Sequence, residues 1–210
     1  MKCHIGVALL VACATMASSA MAQDVRITQD LDKVSVNVSG VNVLIERNQN
    51  QANRLSSEFT KTSRPCPPFC IQPMTLAEGV STFGELEVIG FLQDEVAAGK
   101  GLLIDTRLPE WHEKGSIPGA VNLPFSTLED NNPFRDEILR ALGANDAGGS
   151  WDFSKVFTLT LFCNGPWCEQ TSRAVTALLE VGYPPEKLNF YRGGMQSWLL
   201  LGLTTTNPAG

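Results

Sequence analysis

The sequence predicts an α/β chain in which strands and helices alternate, and three stretches carry that prediction. Val156 to Phe162 is a run of strongly β-prone residues that leads into Cys163. Ala174, Val175, Leu178 and Leu179 then fall at helical spacing, and the pattern stops at Gly182. Upstream, Leu86, Ile89, Leu92 and Val96 mark another helix, opened by a capping-box pattern at Thr82 and Glu85 and running to Gly99, with Leu102 to Asp105 as a buried strand after it.

The 210 residues suit one ordinary domain plus an extension. Sixteen Lys and Arg stand against twenty-two Asp and Glu, with no basic run, which argues against nucleic acid as a partner and gives no polybasic membrane signal. Residues 1–22 read as a secretory signal peptide: Lys2 supplies the charge, Ile5 to Met16 the apolar core, and Ala20-Met21-Ala22 a cleavage site. Cleavage after Ala22 implies a periplasmic or secreted protein, while Leu10-Val11-Ala12-Cys13 offers lipidation at Cys13 as the alternative. This segment is too short for a span, and no later apolar run approaches the ~20 residues one needs. The mature chain, one basic residue poorer, carries a net charge of −7. It keeps Cys66, Cys70, Cys163 and Cys168, two close pairs in a compartment where disulfides persist.

Residues 24–46 alternate in period two, with Val34, Val36 and Val38 before Ser39-Gly40 and Val41, Val43 and Ile45 after it, which predicts a hairpin. The hairpin either packs on the domain or offers an edge to a partner. Residues 47–63 are polar, a loop or short helix. Arg64 to Pro73 follows, with four prolines that exclude regular helix. Cys66 and Cys70 within it fit a structural disulfide, a redox-active pair or, least well, part of a metal site. Asn132-Pro133 with Asp136 and Glu137 starts a further helix that Gly143 stops, and 144–154 is a small-residue loop. Trp151 and Phe153 at its end either pack on the core or wall a pocket. His112 is expected on the solvated surface.

Cys163 lies where a strand feeds a helix N-terminus, a place that gathers unpaired backbone N–H groups and the positive end of the helix dipole. Such sites lower a cysteine pKa from about 8.5 into the range of roughly 3.5–7.5, so Cys163 is a candidate nucleophile. A buried inert cysteine fits the same position. Leu103-Ile104-Asp105-Thr106-Arg107, Gly115-Ser116-Ile117-Pro118-Gly119-Ala120-Val121-Asn122-Leu123-Pro124 and Tyr191-Arg192-Gly193-Gly194-Met195-Gln196-Ser197-Trp198 surround it in the chain. In this order around a strand-borne cysteine they resemble the rhodanese-like domain, over roughly 76–203. The resemblance implies an α/β fold with a central, mostly parallel sheet flanked by helices and a persulfide carried at Cys163. It implies that Asp105 and Arg107 fasten neighbouring loops rather than react. The chain then divides into the signal peptide, a hairpin extension (23–62), a Pro/Cys-rich linker (63–75), the rhodanese-like domain (76–203) and a tail (204–210).

The loop departs from the family pattern. Cys163 to Gly182 is two residues longer than usual. The arginine expected five positions after the cysteine is replaced by Cys168, or by Gln170 if the helices are aligned, and Ser116 stands where the family has histidine. Arg173 is the nearest cation in sequence. An anionic donor such as thiosulfate loses one charge-assisted contact, about 1.5–3 kcal/mol. Asn164, Gly165, Pro166, Trp167, Glu169, Gln170, Thr171 and Arg173 are the candidate substrate-binding residues. Cys163 and Cys168 are the catalytic pair, with Cys168 either resolving a persulfide on Cys163 or simply buried beneath the loop. The reading is a sulfurtransferase-type enzyme that takes a small sulfur-containing donor and passes sulfur to a protein thiol or other acceptor, with no cofactor or metal. Its rivals are a thiol oxidoreductase using the same pair, and a non-enzymatic module that binds a periplasmic protein through residues 24–75.

Overall fold

The computed structural model describes residues 24–55 and 57–206. The predicted signal peptide, the cleavage site and Cys13 lie outside them. Among the described residues no helix is long and apolar enough to cross a membrane.

The hairpin is β1 (Lys33–Val38) and β2 (Val41–Glu46), paired antiparallel through Ser39-Gly40. After a one-turn helix α1 (Ser57–Thr60) come β3 (Ser81–Phe83), α2 (Glu85–Phe91), whose last turn widens into a π-helical one over Leu92–Val96, and β4 (Gly101–Asp105). The helix starts later than the capping pattern suggested. Glu87 reaches back to the Gly84 N–H at 3.0 Å, while Thr82 lies in β3 and bonds the Met74 carbonyl. Strand pairing of Ser81–Phe83 with a C-terminal strand outcompetes the local cap.

Next are α3 (Pro109–Glu113), β5 (Ala120–Asn122), a 3-10 turn at Phe125–Leu128 and α4 (Arg135–Ala141). Asn132 bonds the Phe134 N–H ahead of α4, so that helix begins slightly beyond the Asn-Pro signal. The small-residue loop holds a two-residue hairpin, β6 (Asn145–Asp146) and β7 (Trp151–Asp152). Trp151 and Phe153 pack on the core, Phe153 against the Tyr183 ring. The chain closes with β8 (Thr158–Phe162), α5 (Gln170–Glu180), a 3-10 turn at Pro185–Lys187, β9 (Leu188–Tyr191) and α6 (Gly194–Leu200).

Strands β3, β9, β8, β4 and β5 form one parallel sheet in that order. Their register aligns Phe83, Tyr191, Phe162, Asp105 and Asn122 in a single row at the carboxyl edge. From β4 the chain moves outward to β5, then returns to β8 on the other side of β4. The crevice where direction reverses is where open parallel sheets bind ligands, and Cys163 follows β8 there.

Period-two alternation splits the core by face. Ile104, Leu159, Leu161 and Phe190 join Leu139, Val175 and Leu178 of α4 and α5. Leu103, Phe162 and Tyr191 join Val88, Ile89 and Leu92 of the α2 segment, Trp198 of α6, and Val34, Val36 and Ile45 of the hairpin. The hairpin therefore packs into the second core. Val38 sits so close to Gly119 that a Cβ there would meet it at 2.8 Å. The chain's end clamps the arrangement, with Thr204 bonding Glu46 and Thr206 bonding Ser116 through backbone.

Candidate functional site

Cys163 is the first residue beyond β8, and the loop from Asn164 to Glu169 carries the chain into α5. The backbone explains why the loop stays there. Met195 N–H donates to the Cys163 carbonyl at 3.0 Å and Gln196 N–H to the Asn164 carbonyl at 2.8 Å. This close approach requires Gly194, which has φ +55° and whose Cβ would lie 2.3 Å from the Cys163 carbonyl oxygen.

Beneath the loop is a polar network centred on Asp105, fully buried. Its carboxylate accepts from Arg107 Nε (2.8 Å) and Nη2 (2.6 Å), Ser116 Oγ (2.8 Å) and the His112 ring (2.9 Å). Burial pushes the Asp105 pKa up, but these donors outweigh it and hold the carboxyl below its ordinary value. Arg107 extends the network to the loop through Asn164 Oδ1 at 3.3 Å and to the Gly115 carbonyl at 2.8 Å. Asp105 and Arg107 therefore tie three connections together. His112 is not on the solvated surface: its imidazole turns inward to Asp105, with a side chain only 13% exposed. Thr106 bonds the Phe162 carbonyl and Thr171, which fixes the start of α5 to β4.

The two loop cysteines are joined as a disulfide, Cα to Cα 6.2 Å, and both are buried. Gln170 is adjacent, its side-chain oxygen 3.4 Å from Cys163 Sγ and 3.7 Å from Cys168 Sγ. Because amide O and N are interchangeable by a flip, Gln170 presents either an acceptor to thiols or a neutral N–H donor to a sulfur anion. The N–H groups of Gly165, Trp167, Glu169, Gln170 and Thr171 donate to no acceptor among the described residues. They are the donor set that an anion at this helix N-terminus would use.

A cavity of about 410 Å³ opens over the loop, walled by Asn164, Trp167, Cys168, Glu169 and Gln170 on the loop side. Cys163, Gly165, Pro166 and Thr171 lie outside its lining, so of the two joined cysteines Cys168 is the one on the cavity side. Arg173 is also elsewhere. It pairs with Glu129 and Glu169 and lies over the Phe125 ring, away from the sulfurs.

The opposite wall was not legible in the sequence. Arg64, Pro68 and Phe69 of the Pro/Cys-rich segment, with Glu58 and Lys61, line the cavity. Phe69 meets the Trp167 ring edge-on at 5.7 Å, and the Arg64 guanidinium lies 3.8 Å from the centre of the same ring system. Gln72 N–H bonds the Pro166 carbonyl at 2.8 Å, and Arg192 holds the Gln72 and Pro73 carbonyls. Trp167 is gripped from behind by the Gln196 side chain. A disulfide joins Cys66 to Cys70 inside this strap, Cα to Cα 4.7 Å. The only sequence signal was the density of prolines around an aromatic residue. Among the described residues no three His, Cys, Asp or Glu side chains converge as metal ligands.

A family model described as the rhodanese-like domain matches residues 90–201. The HTH-type transcriptional regulator Rv0324 of Mycobacterium tuberculosis is 28% identical over 112 residues, 53% of this chain and 40% of its own length, so the chain spans less than half of that relative. Among solved structures, the human single-domain sulfurtransferase TSTD1 is 24% identical, covering 58% of this chain and 96% of that one, with a TM-score of 0.41. The rhodanese-like domain of an Anabaena sp. protein gives 22%, 63%, 82% and 0.41. A Rhodopseudomonas palustris protein of unknown function, described as a possible tyrosine phosphatase, gives 18%, 62%, 90% and 0.44. None of these scores reaches 0.5. With the matched region covering more than half the chain and spanning β4 to α6, the protein belongs to the rhodanese-like domain family.

Proposed function

We propose that the protein is a sulfurtransferase-type enzyme in which Cys163 takes up sulfane sulfur and Cys168 releases it. The observation that carries this reading is the disulfide between the two cysteines of one loop at the sheet's carboxyl edge. A second thiol that can bond Cys163 without leaving the loop is suited to resolve whatever Cys163 carries. The Cys163 thiolate attacks the outer sulfur of thiosulfate, a sulfur–sulfur bond breaks, and sulfite departs with the electron pair. The Cys168 thiolate then attacks Cys163 Sγ, sulfide leaves, and the disulfide remains. The two electrons that reduce sulfane sulfur to sulfide come from the two thiolates. An external dithiol restores the pair, entering at Cys168, the cysteine on the cavity side, with Cys163 as leaving thiolate. Export past the predicted cleavage after Ala22 is part of this proposal, since two disulfides suit an oxidising compartment.

The same disulfide also favours a thiol oxidoreductase, which exchanges electrons through the pair and holds no persulfide. Intact-protein mass spectrometry separates them. Reduced Cys168→Ser protein exposed to thiosulfate or polysulfide is expected to gain one sulfur, and the Cys163→Ser control none. If Cys168→Ser gains nothing while the wild-type pair cycles between dithiol and disulfide, the oxidoreductase reading replaces this one. If neither occurs, a binding module remains.

A further inference from the structure

The loop lacks the cation that its family relatives supply, yet the cavity above it is not without cations. Arg64 and Lys61 line it from the N-terminal side, opposite Asn164, Cys168 and Gln170. Two carboxylates share the rim, Glu58 beside Arg64 and Glu169, which Arg173 engages at 3.6 Å. Arg64 is half-buried and held in place: its guanidinium lies against Trp167 and Phe69, and Nη2 donates to the Glu58 carbonyl at 2.6 Å. Its Nε is enclosed and has no hydrogen-bond partner. A guanidinium fixed against the loop's own tryptophan at the cavity wall is pre-organised for a small oxyanion.

We propose that Arg64, assisted by Lys61, supplies from the Pro/Cys-rich strap the cationic recognition of a small oxyanion that the cysteine loop itself lacks. The inference deepens the sulfurtransferase reading and rests on it for the identity of the anion as a sulfur donor. The binding part stands alone. The loop N–H groups and Gln170 would face the sulfur end of such a ligand, and Arg64 its oxyanion end. The strap then completes the site rather than merely covering it. Its anchors, Gln72 to Pro166, Arg192 to Gln72 and Pro73, and the Cys66–Cys70 bond, serve to hold Arg64 over the loop.

The test uses the full mature chain carrying Cys163→Ser, which cannot react, titrated calorimetrically with thiosulfate. Adding Arg64→Gln should weaken binding about tenfold or more, as loss of a charge-assisted hydrogen bond implies, and Arg64→Lys should fall between. Near-ultraviolet circular dichroism of each variant checks that the strap still packs. Arg64→Gln binding within twofold of its parent, or no thiosulfate binding by the parent, overturns the proposal. Sulfur uptake by Cys168→Ser with Arg64 intact is measured alongside. Binding that depends on Arg64 without any uptake would refute the sulfurtransferase reading and leave the anion site standing.

Discussion

Two short disulfides sit in the two segments that wall one cavity, and almost everything else about them differs. Cys163–Cys168 is buried, sits at the carboxyl edge of a parallel sheet and is backed by the Asp105 network. Cys66–Cys70 closes a proline-rich strap on the surface, with Cys66 exposed. The first is placed by the fold's hydrogen-bonded frame, and the second by contacts with the first one's loop. A cysteine pair alone therefore says little about its role; what surrounds the sulfurs decides it.

The two disulfides should differ most in chemistry. Cys163→Ser should abolish sulfur uptake, whereas Cys66→Ser with Cys70→Ser should retain it at reduced affinity for thiosulfate. Equal loss in both, measured as sulfur transferred per chain, would make the strap pair a participant.

Stability comes next. Asp105→Asn leaves Arg107 buried beside a neutral partner, and breaking a buried pair in this way costs about 3–5 kcal/mol. Chemical denaturation measures it. The pH dependence follows the same group. Its folded pKa lies below its unfolded value, so its stabilisation is complete above the ordinary carboxylate range. That contribution is lost as pH falls through the folded pKa. The wild type should lose more stability than Asp105→Asn on acidification below about pH 4.

Removing the strap disulfide frees only a short closed segment, worth at most about 2 kcal/mol by loop closure, and the strap's other anchors remain. A larger drop in the denaturation midpoint would mean that the strap is part of the core. Smallest is Phe69→Ala, which removes one edge-on aromatic contact with Trp167 at about 0.5–1.5 kcal/mol. Its expected signature is a change in tryptophan fluorescence with little change in sulfur uptake.

How much was legible in the sequence follows the same division. The β8–loop–α5 unit, the buried β4 strand and the alternating hairpin rest on local periodicity and propensity, and these survive into the fold. The Tyr191–Trp198 block was marked only by the family resemblance, and its physical cause, Gly194 lying against the cysteine loop's backbone, shows in the fold alone. The Thr82 cap failed because a non-local strand pairing used that residue. His112 was misplaced because its partner, Asp105, lies on another element and local spacing points to neither. The strap's position over the cavity depends on contacts across about a hundred residues, Phe69 to Trp167 and Gln72 to Pro166, and no local pattern encodes them. Arg173, the cation nearest in sequence, is committed to Glu129 and Glu169, and the distant Arg64 stands at the cavity instead.

The most direct measurement is sulfide released in a single turnover by fully reduced protein given one equivalent of thiosulfate, for wild type and Cys168→Ser in parallel. Resolution by Cys168 predicts about one sulfide per wild-type chain, with the Cys163–Cys168 disulfide left behind and no sulfur retained, and no sulfide from Cys168→Ser, which keeps its sulfur on Cys163. Sulfide from both proteins alike, or from neither while Cys163 stays unmodified, would contradict it.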